Sequence, residues 1–165
     1  MGESRVWAAA ALAACLVAAG PVRAQWTEHQ VVDHLRGKTG MAIETKGDID
    51  GQYGRRPASL TVFCDQNQTY INIASKPFYV GGSEVTVEYT LDGGPVQRAT
   101  WSVCQGDGCI GLWRGTGIPF LKSLYGKSML RMTIHPRHLK PSFVTFSIAG
   151  TKDMIAPLAK MCGWQ

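Results

Sequence analysis

Ala58-Ser59-Leu60-Thr61-Val62-Phe63-Cys64-Asp65-Gln66-Asn67-Gln68-Thr69-Tyr70-Ile71-Asn72-Ile73 is two alternating runs joined by a short polar turn. In the first run Leu60, Val62 and Cys64 fall on one face, and in the second Tyr70 and Asn72 alternate with Ile71 and Ile73. A period of two is the signature of a strand with one buried face, and Asp-Gln-Asn is turn chemistry, so the stretch predicts a β-hairpin.

The same period continues downstream. Residues 84–90 place Val85, Val87 and Tyr89 inward, Leu91-Asp92-Gly93-Gly94 makes a turn, and residues 96–103 return as a second hairpin. Residues 129–134, with Leu130, Met132 and Ile134 in phase, and residues 142–148 read as two further strands. Phe143 and Phe146 leave the phase of the last one open. Two stretches change period. Phe120, Leu121 and Leu124 sit one helical turn apart between Pro119 and the stop at Gly126. After Gly150, Met154, Ile155, Leu158 and Met161 form an apolar stripe behind Thr151 as the expected N-cap and Asp153 in the first turn. Seven or eight strands with these helices predict a mainly β domain. The expected form is a disulfide-pinned β-sandwich with one short internal helix and a C-terminal helix packed on a sheet.

The start of the chain predicts export. Ala8 to Gly20 is almost wholly apolar, and Pro21-Val22-Arg23-Ala24 ends in the small-x-small pattern that signal peptidase cuts. The expected organisation is a signal peptide over residues 1–24 and a single β-rich domain over 25–165. Leu12-Ala13-Ala14-Cys15 also fits the lipobox before a lipidated cysteine, but the apolar run continues past Cys15, which puts it inside the hydrophobic segment. No later stretch approaches the roughly 18 apolar residues of a spanning helix. Of the chain's 17 Lys and Arg and 12 Asp and Glu, the leader holds Arg5, Arg23 and Glu3, so the expected domain carries 15 against 11. That excess is mild and scattered, with Arg55-Arg56 as the one adjacent pair. No basic stripe interleaved with aromatics is present, and nucleic-acid binding is not expected.

Four cysteines remain after the leader: Cys64, Cys104, Cys109 and Cys162. They allow three connectivities in an oxidising compartment. Spacing favours one: Cys104 and Cys109 flank the Gln105-Gly106-Asp107-Gly108 turn, which leaves Cys64 for Cys162.

Chemistry-bearing patterns are thin. His135-Pro136-Arg137-His138 has a spacing found in some metal sites, and Cys104 with Cys109 could join it, but oxidised cysteines are not ligands and no metal or other cofactor is expected. There is no Gly-x-Ser-x-Gly elbow. Gly115-Thr116-Gly117 lacks the strand–loop–helix setting of a phosphate cradle and reads as a loop beside a helix. Lys46-Gly47-Asp48-Ile49-Asp50-Gly51 reads as a turn without the spaced oxygens of a calcium loop. A domain with no convergent titratable groups is expected to present surface, not to catalyse. Trp113, Arg114 and Phe120 are the expected partner surface, because aromatics and Arg are enriched at binding hot spots.

The C-terminal third carries a family likeness. Gly111-Leu112-Trp113-Arg114-Gly115, Ile118-Pro119-Phe120-Leu121-Lys122, Phe146-Ser147-Ile148-Ala149-Gly150, Ile155-Ala156-Pro157-Leu158 and Cys162-Gly163-Trp164 resemble the periplasmic TagO/VasI family associated with type VI secretion. Leu60-Thr61-Val62-Phe63-Cys64 is similar to that family's central strand. The Cys104/Cys109 pair departs from its pattern and is similar to the hairpin of the invasion-associated locus B family. The first likeness implies a secreted β-rich domain with a Cys64 to Cys162 bridge, acting as a non-enzymatic periplasmic accessory with a protein partner in the bacterial envelope, such as a secretion-system component. The second implies a host-interaction factor. A cell-wall enzyme is the third reading, and His135, His138, Asp107 and Asp153 would be its first residues to test.

Overall fold

The computed structural model describes residues 26–33, 38–106 and 108–164. The expected leader, with Cys15, and Asp107 lie outside the described residues. Among the described residues nine strands and two helices run in the order β1 (Trp26–Asp33), β2 (Lys38–Asp50), β3 (Arg56–Asp65), β4 (Gln68–Ser75), β5 (Glu84–Leu91), β6 (Gln97–Val103), β7 (Cys109–Leu112), α1 (Ile118–Ser123), β8 (Met129–His135), β9 (Ser142–Ser147) and α2 (Thr151–Met161).

Strand pairing corrects the expected sandwich. The antiparallel ladder runs β2-β3-β4-β7-β6-β5-β8-β9, and β9 pairs back onto β2, so eight strands close into a barrel with β1 added outside. Thirteen-residue β2 makes this possible. On one edge it carries β1 along Lys38 to Thr45 and then β9 along Gly47 to Asp50, while β3 takes its other edge. The segment expected as a turn at residues 46–51 is therefore mostly strand. Closure brings the backbones close: a Cβ on Gly47 would stand 2.2 Å from the Thr145 carbonyl oxygen and 2.5 Å from the Phe146 ring. Gly47→Ala is expected to cost about 1–3 kcal/mol, at the upper end because a backbone oxygen cannot rotate away. A denaturant titration measures it.

The expected inward faces are the observed ones. Leu60, Val62 and Cys64 on β3, Ile71 and Ile73 on β4, Val85, Val87 and Tyr89 on β5, and Leu130, Met132 and Ile134 on β8 are all buried in one cluster. On β9 the open phase resolves with Val144 and Phe146 inside and Phe143 59% exposed. The two-residue turn between β3 and β4 has Gln66 and Asn67 both at positive φ, 49° and 59°, the twist that matches flanking strands. Asp92, at φ 51°, turns the β5–β6 connection, and its Oδ1 accepts the N–H groups of Ser128 and Met129 at 3.0 and 2.8 Å.

Both disulfides form as spacing indicated: Cys64–Cys162 with Cα atoms 5.8 Å apart and Cys104–Cys109 with Cα atoms 5.2 Å apart. Disulfides persist where thiols are not kept reduced, which places the domain in an oxidising, non-cytoplasmic compartment. Helix α2 packs against β2 and β3 with Ile155 and Leu158 in the core. Its N-cap is Gly150 in the left-handed region, not Thr151, which is the buried first helical residue. The end of the chain is fastened beside the bridge, where Trp164 Nε1 donates to Thr69 Oγ1 at 2.6 Å and Thr69 pairs with Cys64 across β3 and β4. Among the described residues no helix is long and apolar enough to cross a membrane.

Candidate functional site

The barrel wall is interrupted where β7 ends early. Strand β7 is only four residues long; it pairs with β4 over Ile71 to Ala74, but with β6 only at Ser102 and Val103. Three glycines help to divert the chain there. Trp113 folds back across β7, so that a Cβ on Gly111 would meet its indole at 2.4 Å. The chain then reverses through Arg114 and Gly115, both at positive φ, with Thr116 N–H donating to the Trp113 carbonyl at 3.2 Å. Gly115 N–H is taken by the Thr69 carbonyl at 2.8 Å, which pins this reversal to β4. At Gly117 a Cβ would stand 2.3 Å from Ile71 Cδ1, and α1 begins there with Pro119 in its first turn. The Gly115-Thr116-Gly117 run expected as a loop beside a helix is a tight turn that leads directly into α1.

What β7 vacates is an open cleft of about 630 Å³. One wall is β6, through Gln97, Ala99, Thr100 and Ser102; the other is the segment after β7, chiefly Leu112, Trp113, Thr116, Pro119 and Phe120. Tyr89 and Ser123 complete it. Tyr89 donates its hydroxyl hydrogen to Gln97 Oε1 at 2.8 Å, and burial raises its phenol above the ordinary value. The floor is aromatic. Phe120 meets Tyr89 edge-on at 5.3 Å and fully buried Trp101 edge-on at 5.3 Å, arrangements that ring quadrupoles favour.

Two of the three expected partner-surface residues meet here. Trp113 and Phe120 both line the cleft, whereas Arg114 is exposed on the reversal beside it and does not line it. The sequence reading missed Gln97, Ala99, Thr100 and Ser102, because a polar strand end looks like an ordinary solvated face. Their one signal was the abrupt shortness of the partner run after Cys109. Apart from the Tyr89 phenol, the lining contains no titratable side chain.

His135 and His138 lie elsewhere. His135 Nε2 is 3.1 Å from Glu88 Oε2 on the outer wall, while Arg98 Nε donates to Glu88 Oε1 at 3.2 Å, so three strands share one charge cluster. His138 is exposed at φ 62°, and Cys104 and Cys109 are bonded to each other, so the histidine–cysteine grouping is not assembled. Among the described residues no three His, Cys, Asp or Glu converge on a point that could hold a metal. The hydrogen bonds from Arg98 first, and His135 second, hold the Glu88 carboxyl below its ordinary value of 4.5. A depressed carboxyl stabilises the fold above its unfolded value and loses that contribution as pH falls through the folded one. In Arg98→Ala the Glu88 carboxyl is expected to titrate closer to 4.5, read by side-chain NMR, so that Glu88 contributes less to the acid limb of the stability curve.

No family model, curated protein or solved structure matches the chain.

Proposed function

We propose that the protein is a non-enzymatic binding protein of the bacterial envelope, an exported periplasmic domain that serves as an accessory to a larger assembly such as a type VI secretion system. The observation that carries this reading is the cleft at the break in the barrel wall. It is large enough for a ligand, partly apolar, furnished with convergent hydroxyl and amide groups, and without the paired titratable side chains that acid–base or nucleophilic work requires. The resemblance of residues 109–164 to the TagO/VasI family supports the envelope setting, and the two disulfides suit it.

The test is crosslinking in cells from a photoreactive residue at position 113 or 116, followed by mass spectrometry of the adducts. Crosslinks to components of a secretion machine are the expected result. Adducts only from the far wall, or none from the cleft, overturn the reading. Single alanine substitutions of His135, His138, Asp107 and Asp153 are expected to leave function intact. A loss of function with the fold preserved would promote the cell-wall enzyme, and digestion by protease added to intact cells would promote the locus B-like host-facing factor.

A further inference from the structure

Strand β6 has a free edge, and the direction of its main-chain groups can be assigned. Val103 N–H donates to the Ser83 carbonyl at 2.8 Å on the β5 side, and Cys104 N–H donates to the Cys109 carbonyl at 2.9 Å on the β7 side. Successive residues of a strand point their N–H and C=O to opposite sides. Arg98, Thr100, Ser102 and Cys104 therefore address the β7 side. Ser102 is paired with Gly111 there, but Arg98 and Thr100 lie beyond the end of β7 and have no strand partner on that side among the described residues. The cleft touches Gln97 and Ala99 from one face of β6 and Thr100 and Ser102 from the other, so it runs along this edge.

We infer that the cleft's ligand is an extended segment of a partner polypeptide, which continues the vacated line of β7 and adds to β6 through the main chain of Arg98 and Thr100. The inference rests on the binding reading above and names its ligand. Two N–H and C=O pairs about 6.6–6.8 Å apart along one line match the repeat of an extended polypeptide. A guest strand sends alternate side chains to opposite faces, and the cleft offers both. One face leads toward Tyr89 and Phe120, the other toward Trp113 and Thr116. Because the lining carries no charged side chain, the segment that fits is uncharged, with small or apolar residues. This is strand addition, in which main-chain bonds supply affinity and flanking pockets supply selectivity. Native proteins normally cover or charge such an edge, and here an open cleft lies beside it instead.

The test pans a displayed library of random seven-residue peptides against the oxidised protein, then titrates the enriched peptides by NMR and fluorescence anisotropy. The expected result is that the Arg98 and Thr100 amides shift most. Binding should fall at least tenfold in Thr100→Pro and on N-methylation of alternate peptide residues. Thr100→Pro removes an N–H that faces away from β5, so it leaves the β5–β6 ladder intact. The N-methylated peptides ask the same question of the unaltered protein. An absence of enriched peptides, unmoved Arg98 and Thr100 amides, or tolerance of N-methylation overturns strand addition. In-cell crosslinks from position 113 that persist in Thr100→Pro also overturn it while leaving the binding reading intact, whereas crosslinks absent from the unaltered protein sink that parent reading.

Discussion

Replacing Cys64 and Cys162 together by alanine is expected to remove about 4–5 kcal/mol of stability, against a typical total of about 5–15 kcal/mol for a domain. The bridge closes a loop of 98 residues, so in the chain-entropy account it excludes a large share of unfolded conformations. It also sets geometry. Cys64 belongs to the inward-facing row of β3, and Cys162 caps the end of α2, so the bond holds the helix to the barrel interior at the β3–β4 end. Without it, α2 keeps Ile155 and Leu158 in the core, and Trp164 keeps its bond to Thr69. Those contacts should preserve a barrel of lower stability with a fraying C-terminal helix. Urea titration and hydrogen exchange of residues 151–162 measure the two effects. The Cys104–Cys109 pair closes a loop of only five residues, so its replacement is expected to cost markedly less.

Trp101→Ala is expected to cost about 3–5 kcal/mol and to unseat α1. Trp101 is fully buried on β6, opposite Val85, and its ring supports Phe120, through which α1 packs on the barrel. Its truncation removes the ring behind Phe120, which lines the cleft, as well as core volume. Trp101→Phe should lose clearly less. The Trp101 Nε1 hydrogen has no acceptor among the described residues, and removing an unpartnered buried donor recovers a desolvation cost of about 1–3 kcal/mol. Thermal unfolding of the two variants, with the fluorescence of the remaining tryptophans as the probe for α1, separates the volume effect from the polar one. A Trp101→Phe variant as unstable as Trp101→Ala would contradict this account.

Much of the barrel was legible residue by residue. Alternation identified which side of β3, β5 and β8 is buried, because a strand's side chains leave the backbone on opposite faces whatever the strand pairs with. The β3–β4 turn was legible from Asp-Gln-Asn, and the Cys104–Cys109 pair from its spacing. Strand β2 was missed for a physical reason. Two of its five inward positions from Met41 to Ile49 are Thr45 and Gly47, which carry no hydrophobic signal, although Thr45 is buried with its hydroxyl bonded to the Ser147 carbonyl at 3.2 Å. Strand β7 was missed because four residues with a glycine among them show too little of either period. The cleft was half legible, since Trp113 and Phe120 stand out as residue types whereas an unpaired edge has no residue type at all.

The sequence by itself determined that this chain makes antiparallel strands with one apolar face, two helices with apolar stripes, and two disulfides of assigned partners. Most of these depend on periodicity, on turn residues or on the short Cys104–Cys109 spacing, which are local properties of the chain, whereas Cys64–Cys162, 98 residues apart, follows by elimination. Only the tertiary structure decided that the strands close into a barrel, since a sandwich demands the same alternation of every strand. Closure depended on the length of β2 and on the absence of a side chain at Gly47, where β9 returns to it. The early end of β7 left the Arg98 and Thr100 main-chain groups open. That result is a relation between strands distant in sequence, and no single strand's residues encode it.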